Sequence, residues 1–318
     1  MSLKTNTSIQ EEEKRTPSFS FPLFSFDKSI SKSRHLWLFL LPGFIIYTVF
    51  FALPTLSALF LSTTDWNGLS SQFSFVGLQN FKEILTNDAI FTQSLTNNLK
   101  FTIGVLIFQT LLSLGFALLL YKNSAWNTFY RSLFFVPTII SSVSIAFTWN
   151  FMYDPNIGGV NLFLSKIGLE HWTQSWIGNG HIAIYSLAFV QFWAHTGQML
   201  IIFVAGIQAI PSELYEAASI DGATRWQKFK RITWPLLAPA TTMVVAYTTI
   251  QSFKAFDLII AMTNGGPSNS TEILSTLLYH EAFINFRFGY ASAISVVFMI
   301  VIALLTFLQF RVLRLTKM

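Results

Sequence analysis

The chain has no cysteine in 318 residues, and charged residues make up only 11% of it. The first absence excludes a disulfide framework, a thiolate-held metal and a thiol nucleophile. The second argues against a soluble domain, in which about a quarter of the residues carry charge. No GxxxxGK[ST] stretch occurs, so the chain lacks the loop with which to bind ATP itself. The five His are scattered, and His195 has no second His or acid beside it at ligand spacing. No nucleophile–base pairing stands within a polar cluster. We therefore expect no catalytic residue, no metal site and no cofactor on this chain.

Apolar surface is what the sequence has in excess: 52% hydrophobic residues, 34 Phe and a mean hydropathy of +0.51. A membrane span needs about 20 mostly apolar residues. Six such runs are expected, near 36–61, 99–121, 132–153, 181–207, 235–263 and 288–310. The third and fifth carry polar or proline interruptions. Pro42, Pro54 and Pro137 lie inside runs, which neighbouring helices tolerate by satisfying the freed carbonyls. The expectation is an all-α membrane protein with bundled spans.

Lys and Arg gather on one side of these runs. They crowd the first 35 residues, the second loop (Lys122, Arg131), the fourth loop (Arg225, Lys228, Lys230, Arg231) and the C-terminus (Arg311, Arg314, Lys317). The alternate loops hold only Lys82, Lys166 and Arg287, with Lys100 at a span edge. This asymmetry puts both termini in the cytoplasm and reads the net charge of +5 as contact with lipid, with no need of nucleic acid. The first apolar run follows a polar tail and is too long for a signal h-region, so it is expected to stay as a span.

Residues 1–35 read as a cytoplasmic tail, with "EEEKR" solvated. "PSFSFPLFSF" leaves two readings open, a membrane-surface segment or an unstructured one. Residues 36–98 read as the first span and a long outer loop, in which "GLQNFKEIL" fits a short amphipathic helix. Residues 99–310 read as the core of five further spans, and 311–318 as a cytoplasmic tail.

One polar interruption stands out, "SELYEAASIDGATRWQKFKRITWPLLAP", Ser212 to Pro239. Pro211 starts a helix, capped by Ser212 or by the backbone before it. Glu213 and Glu216 sit in its early turns, where the helix dipole favours acids. Asp221–Gly222 signals a turn, and Asp221 is placed to cap a second, basic helix. Trp226, Phe229 and Ile232 recur at spacing three. Ala217, Ala218, Gly222 and Ala223 leave the corner almost free of side-chain bulk. Glu213, Glu216, Arg225, Lys228 and Arg231 surround it with groups able to form salt links. Spacing alone leaves two readings: a docking corner for another protein, or an inner loop whose basic face meets lipid headgroups.

"EAASIDGA" followed by "FKRITWPLLAP" resembles the EAA loop of permease subunits in binding-protein-dependent ABC importers. Trp234 departs from the Leu usual before that proline. "FVGLQNF", "RSLFFVPTIISSVSIAFTWNFMYDPNIGGVN" and "TNGGPSNSTEILSTLLYHEAF" are similar to the sugar branch of maltose, lactose and glycerol-phosphate importers. The resemblance implies a MetI-like bundle of six spans in a bacterial inner membrane. It implies coupling helices over 211–235, with Glu216, Ala217, Ala218, Asp221 and Gly222 as contacts and Glu213, Ala223 and Arg225 around them. It implies four partners: a second, different permease, a dimeric ATPase carrying ATP and Mg, an extracytoplasmic sugar-binding protein, and lipid.

A solute path needs polar residues within spans. Thr248, Gln251, Ser252 and Ala255 share one helical face by their three-and-four spacing. Phe256 or Trp193 can supply a flat wall for a sugar. The resemblance adds Trp193, Ala194 and Gly197 of "WAHTG" to the path. The competing reading of the Ser, Thr and Gln residues is hydrogen bonding between helices. Gln191, His195 and Gln198 form a second polar stripe, facing either the path or the partner permease. Lys254 and Asp257, three apart, are expected to pair. The alternative function is an ion-coupled secondary transporter of a small polar solute, which would show internal repeats and free intramembrane acids.

Overall fold

The computed structural model describes residues 34–315; the N-terminal tail expected over 1–35 lies almost wholly outside that range, as do 316–318. The chain divides into two units, the first ending at Pro54 and the second beginning at Thr55. Helix is the only regular element among the described residues beyond an isolated bridge between Thr64 and Phe75.

The first apolar passage is α1 (Arg34–Tyr47), a π-helical turn (Thr48–Ala52) and α2 (Leu53–Leu61). In the second unit α3 (Gln79–Thr86) is the expected amphipathic helix. Its buried Asn80 donates through Nδ2 to the Ser62 and Thr64 carbonyls, both at 2.9 Å, which closes the loop after α2. Next comes α4 (Ala89–Leu120), which starts ten residues before the expected 99. Asp88 caps it, accepting from the Phe91 N–H at 2.8 Å.

The third expected run is a broken helix pair, α5 (Ala125–Ile139) and α6 (Ser142–Met152), bent by 96°. Pro137 cannot donate a backbone hydrogen bond, and Ile140 turns to an extended backbone. A loop follows with α7 (Gly159–Lys166) and a 3-10 turn (Glu170–Trp172). Asn161 ties that loop together, donating to the Pro155 and Gln174 carbonyls and accepting from the Trp176 indole at 2.8 Å.

The fourth run is the unbroken α8 (Ala183–Gln208). Then come α9 (Ser212–Ile220), α10 (Arg225–Lys228), a second π-helical turn (Phe229–Thr233), α11 (Trp234–Leu236), α12 (Ala238–Phe253) and α13 (Asp257–Met262). The single span expected over 235–263 is thus in pieces. Pro239, with no N–H, stands at the start of α12, and the chain breaks again between α12 and α13. At the second break the Ala255 carbonyl accepts from the Ser275 hydroxyl at 3.0 Å, so the freed group is satisfied. Then follow α14 (Leu274–Tyr279), a π-helical turn (His280–Ile284) and α15 (Phe288–Leu315). The last helix continues past the expected boundary at 310.

Among the described residues four helices are long and apolar enough to cross a membrane: Phe39–Leu61, Ala89–Leu120, Ala183–Gln208 and Phe288–Val312. The bent pair α5–α6 makes a fifth if it counts as one span. The expected sixth fails the same test because α12 and α13 are each too short.

The second unit is built on α4 against α8. One cluster joins Phe101 and Val105 of α4 to Ile145 of α6, Leu187 and Val190 of α8, and Ile259 of α13. A second joins Leu114 and Ala117 to Phe203, Val204 and Val244. A third packs Ile84 of α3 under Leu274, Leu277 and Ile294. Asn97 of α4 donates to the Asn269 and Glu272 carbonyls at 3.0 Å, so α4 also anchors the segment before α14.

Candidate functional site

Helix α9 ends in a left-handed residue, as the Asp-Gly pair indicates. Gly222 has φ +74°, and the N–H groups of Asp221, Gly222 and Ala223 donate to the carbonyls of Ala217, Ser219 and Ala218. A Cβ on Gly222 would meet nothing within 4 Å. The glycine is therefore needed for backbone conformation and not for space within the chain. The expected cap of the second helix is corrected. Thr224, not Asp221, accepts from the Gln227 N–H, and Gln227 reaches back to the Thr224 N–H at 2.7 Å. This reciprocal box is stronger than a lone cap because it satisfies two orphan donors.

The corner is open. Glu213, Glu216, Ala217, Asp221, Gly222 and Arg225 are exposed, and Ala218 and Ala223 are half-buried. A recess of about 330 Å³ lies beside Ala218, Asp221, Gly222 and Ala223. The surrounding charges, expected as groups for salt links to another surface, form none with one another. Among the described residues the ion pairs are His280–Glu272, Arg287–Glu83 and Arg287–Glu281, all remote from the corner. Lys228 instead donates to the Ser219 hydroxyl at 2.6 Å.

Two features here escaped the sequence reading. Ile220, the last residue of α9, is 88% exposed, a bare aliphatic side chain on a polar corner. Its signal was present, an isoleucine among small residues directly before Asp-Gly. Tyr215 hydrogen-bonds Thr233 at 2.9 Å and ties α9 to the π-helical turn that precedes α11. No spacing rule links those two positions.

The seven expected path residues are divided by the structure. Trp193 is exposed and Gln251 half-buried. Ala194, Gly197, Thr248, Ser252 and Ala255 are buried within the chain. Ala194 and Gly197 form the notch where α5 crosses α8. The Ala194 carbonyl accepts from Thr138 at 2.8 Å, and a Cβ on Gly197 would stand 2.0 Å from the Phe134 carbonyl oxygen. The Thr248 and Ser252 hydroxyls are buried without a hydrogen-bond partner.

Around Trp193 stands an aromatic wall. Trp149 of α6 packs edge-on against Trp193 at 5.4 Å and Phe189 at 5.2 Å. Gln198 donates to the Tyr247 hydroxyl at 3.1 Å, and Tyr247 lies one helical turn before Gln251. His195 hydrogen-bonds the Gln191 carbonyl of its own helix at 2.9 Å, while Gln191 is buried. Trp149 and Tyr247 were missed because their neighbours lie on other helices. The expected pairing of Lys254 with Asp257 is absent: α12 ends at Phe253, so the two no longer sit on one helix.

Comparison with known proteins follows the same outline. The family model described as binding-protein-dependent transport system inner membrane component matches residues 109–316. The chain is 36% identical over 277 residues to the probable ABC transporter permease protein YurN of Bacillus subtilis, covering 86% of this chain and 94% of that one. It is 34% identical to the multiple sugar-binding transport system permease protein MsmF of Streptococcus mutans (86% and 93% covered). It is 36% identical to the sn-glycerol-3-phosphate transport system permease protein UgpA of Agrobacterium fabrum, with the same coverage. Its fold is similar to a chain of a bacterial ABC transporter involved in the import of the acidic polysaccharide alginate, with a TM-score of 0.77, 23% identity, and 90% and 97% of the two chains covered.

Proposed function

The chain belongs to the binding-protein-dependent transport system inner membrane components, and from that premise we propose that it is the permease subunit of an ATP-driven importer of a sugar. It is a transport subunit and not itself an enzyme. The ion-coupled alternative falls with the family assignment. Relatives named for multiple sugars and for glycerol phosphate support a carbohydrate or a related polyol phosphate as cargo.

One observation carries the mechanism: the α9–α10 corner is exposed, poor in side chains, and ringed by charges unpaired within the chain. Such a corner fits into the cleft of a partner ATPase, where ATP and Mg supply the driving free energy. Ile220 and the alanine face enter the cleft, and Glu213, Glu216 and Arg225 form the salt links. The Tyr215–Thr233 bond passes a displacement of α9 to the π-helical turn and the broken span beyond it. The bundle is thus a two-state element whose equilibrium the ATPase biases.

In this reading α5–α6 and α11–α13 each count as one interrupted span. That makes six, with both termini and the corner in the cytoplasm. A second, different permease completes the pair, and an extracytoplasmic binding protein delivers the sugar. Trp193, backed by Trp149, is the wall on which a sugar ring stacks. Gln251, with Tyr247 and Gln198, supplies hydrogen bonds. Ala194, Gly197, Thr248, Ser252 and Ala255 support that face from behind.

The test is co-purification followed by reconstitution. The subunits should leave the membrane as one complex, and binding protein loaded with the right carbohydrate should stimulate ATP hydrolysis. Stimulation by no carbohydrate or polyol phosphate overturns the cargo. Absence of an ATPase from the complex overturns the mechanism.

A further inference from the structure

A second recess, about 850 Å³, lies between the ends of α4 and α8 and the α9–α10 corner. Lys122, Arg225 and Lys228 line it, and none of its lining residues is an acid. None of the three cations is among the described ion pairs. The rest of its wall is mixed: Leu118, Ile207, Ile210 and Phe229 form an apolar part, and Asn123, Gln208, Ser212 and Thr233 a polar one.

The frame is held by specific bonds. Gln208 at the end of α8 donates to the Tyr121 carbonyl at 2.7 Å and to Asn123 at 3.0 Å. Arg131 and Asn127 both donate to the Lys122 carbonyl, which fixes the backbone carrying that lysine. The setting is a membrane boundary. Trp226 is 69% exposed and stacks on Phe229 at 5.5 Å, and Trp234 is 45% exposed nearby. Exposed indoles at the end of a span mark the headgroup level.

Three uncompensated cations around one recess repel each other and attract an anion. The apolar part of the wall, Leu118 on α4 and Ile207 on α8, continues onto two helices long and apolar enough to span, which suits acyl chains that a free inorganic anion lacks. We infer that this recess binds the phosphate of an anionic phospholipid, with its chains along α4 and α8. Lys122 and Lys228 take the phosphate oxygens, as basic pockets between spans do for lipid headgroups, and Arg225 at the docking corner adds positive charge beside them. The lipid comes from the cytoplasmic leaflet, a detail that rests on the orientation proposed above. Lys228 also lines the smaller recess at the docking corner, so the lipid lies directly behind the coupling surface.

The probes are phosphatidylglycerol, phosphatidylcholine and inorganic phosphate, each added to the full chain purified with whatever subunits accompany it. Retained lipid is counted by native mass spectrometry. The wild type should keep phosphatidylglycerol in preference to phosphatidylcholine. The Lys122→Gln/Lys228→Gln double variant should lose that preference by roughly ten- to thirty-fold, the order expected for two basic groups at a membrane surface. Lys122→Gln alone, in the loop between helices, gives a smaller loss should the double variant fail to fold. Lys230→Gln, outside the recess, should change nothing. Equal retention of phosphatidylglycerol by wild type and variants, or an equal loss with Lys230→Gln, overturns the site. Displacement of lipid by millimolar inorganic phosphate overturns the lipid in favour of a free anion. Loss of the preference only when the ATPase is bound overturns it in favour of an acidic partner surface. All these readings remain available even if no sugar stimulates ATP hydrolysis.

Discussion

Gly197 of α8 lies so close to Phe134 of α5 that a Cβ at Gly197 would stand 2.0 Å from the Phe134 carbonyl oxygen. The atom in the way is backbone, which cannot swing aside as a side chain does. Gly197→Ala should therefore separate α5 from α8 and destabilise the fold by about 1–3 kcal/mol or more. Gly115, where a Cβ meets nothing within 4 Å, is the contrast: Gly115→Ala should be neutral or stabilising by up to ~1 kcal/mol. Thermal unfolding of the two variants in one detergent checks both.

Gly222 separates two kinds of constraint. Its φ of +74° disfavours any side chain, at a cost of about 1–2 kcal/mol. The strain is local, at an exposed corner, so Gly222→Trp should still reach the membrane. Its indole would occupy the space that a partner needs, and sugar uptake should be abolished. Gly222→Asn, whose short side chain tolerates the left-handed conformation, should keep most of the uptake. Normal uptake by the Trp variant counts heavily against docking at this corner.

Trp193 and Ser252 divide the expected path into a face and a backing. Trp193→Ala removes the exposed wall and should lower uptake at least tenfold, chiefly through the apparent KM. Gln251→Ala should act in the same direction. Ser252→Ala removes a buried hydroxyl with no hydrogen-bond partner, so it should be neutral or slightly stabilising and leave uptake unchanged. Initial-rate uptake with the three variants decides whether the division holds.

Glu272 lies in the loop before α14, buried and 3.1 Å from His280. Burial pushes its carboxyl above the ordinary carboxylate range, against the pull of hydrogen bonds from Thr276 and His280. A raised value in the folded state means that the neutral form is favoured there. Its stabilising contribution is full below the ordinary carboxylate range and is lost as pH rises through the raised value. Glu272→Gln stays neutral at every pH. The melting temperature of this variant relative to wild type should therefore rise as pH increases through that window. A flat difference across pH would show that burial of the charge carries no penalty.

The local structure of the α9–α10 corner was nearly complete in the sequence, because its signals are local: a helix-starting proline, acids in the early turns, an Asp-Gly stop and a run of alanines. Only the cap was misread, since Thr224 with Gln227 satisfies two donors where Asp221 would satisfy one. The long runs behind α1–α2, α8 and α15 were equally legible, because span length follows from bilayer thickness. The path was legible only as residue types. Helical spacing put Thr248, Gln251 and Ser252 on one face, but burial by neighbouring helices decided that of these only Gln251 stays partly exposed, with its Oε1 buried.

By itself the sequence determined that this is a helical membrane protein bearing a bare polar corner between two apolar runs. Those properties follow from composition, periodicity and short-range turn chemistry, which need no partner elsewhere in the chain. Tertiary structure alone decided where the spans break, which carbonyl Gly197 must admit, and which polar groups are shut away. Each of these depends on atoms from helices far apart in sequence meeting at a few ångströms, a relationship that no local pattern encodes.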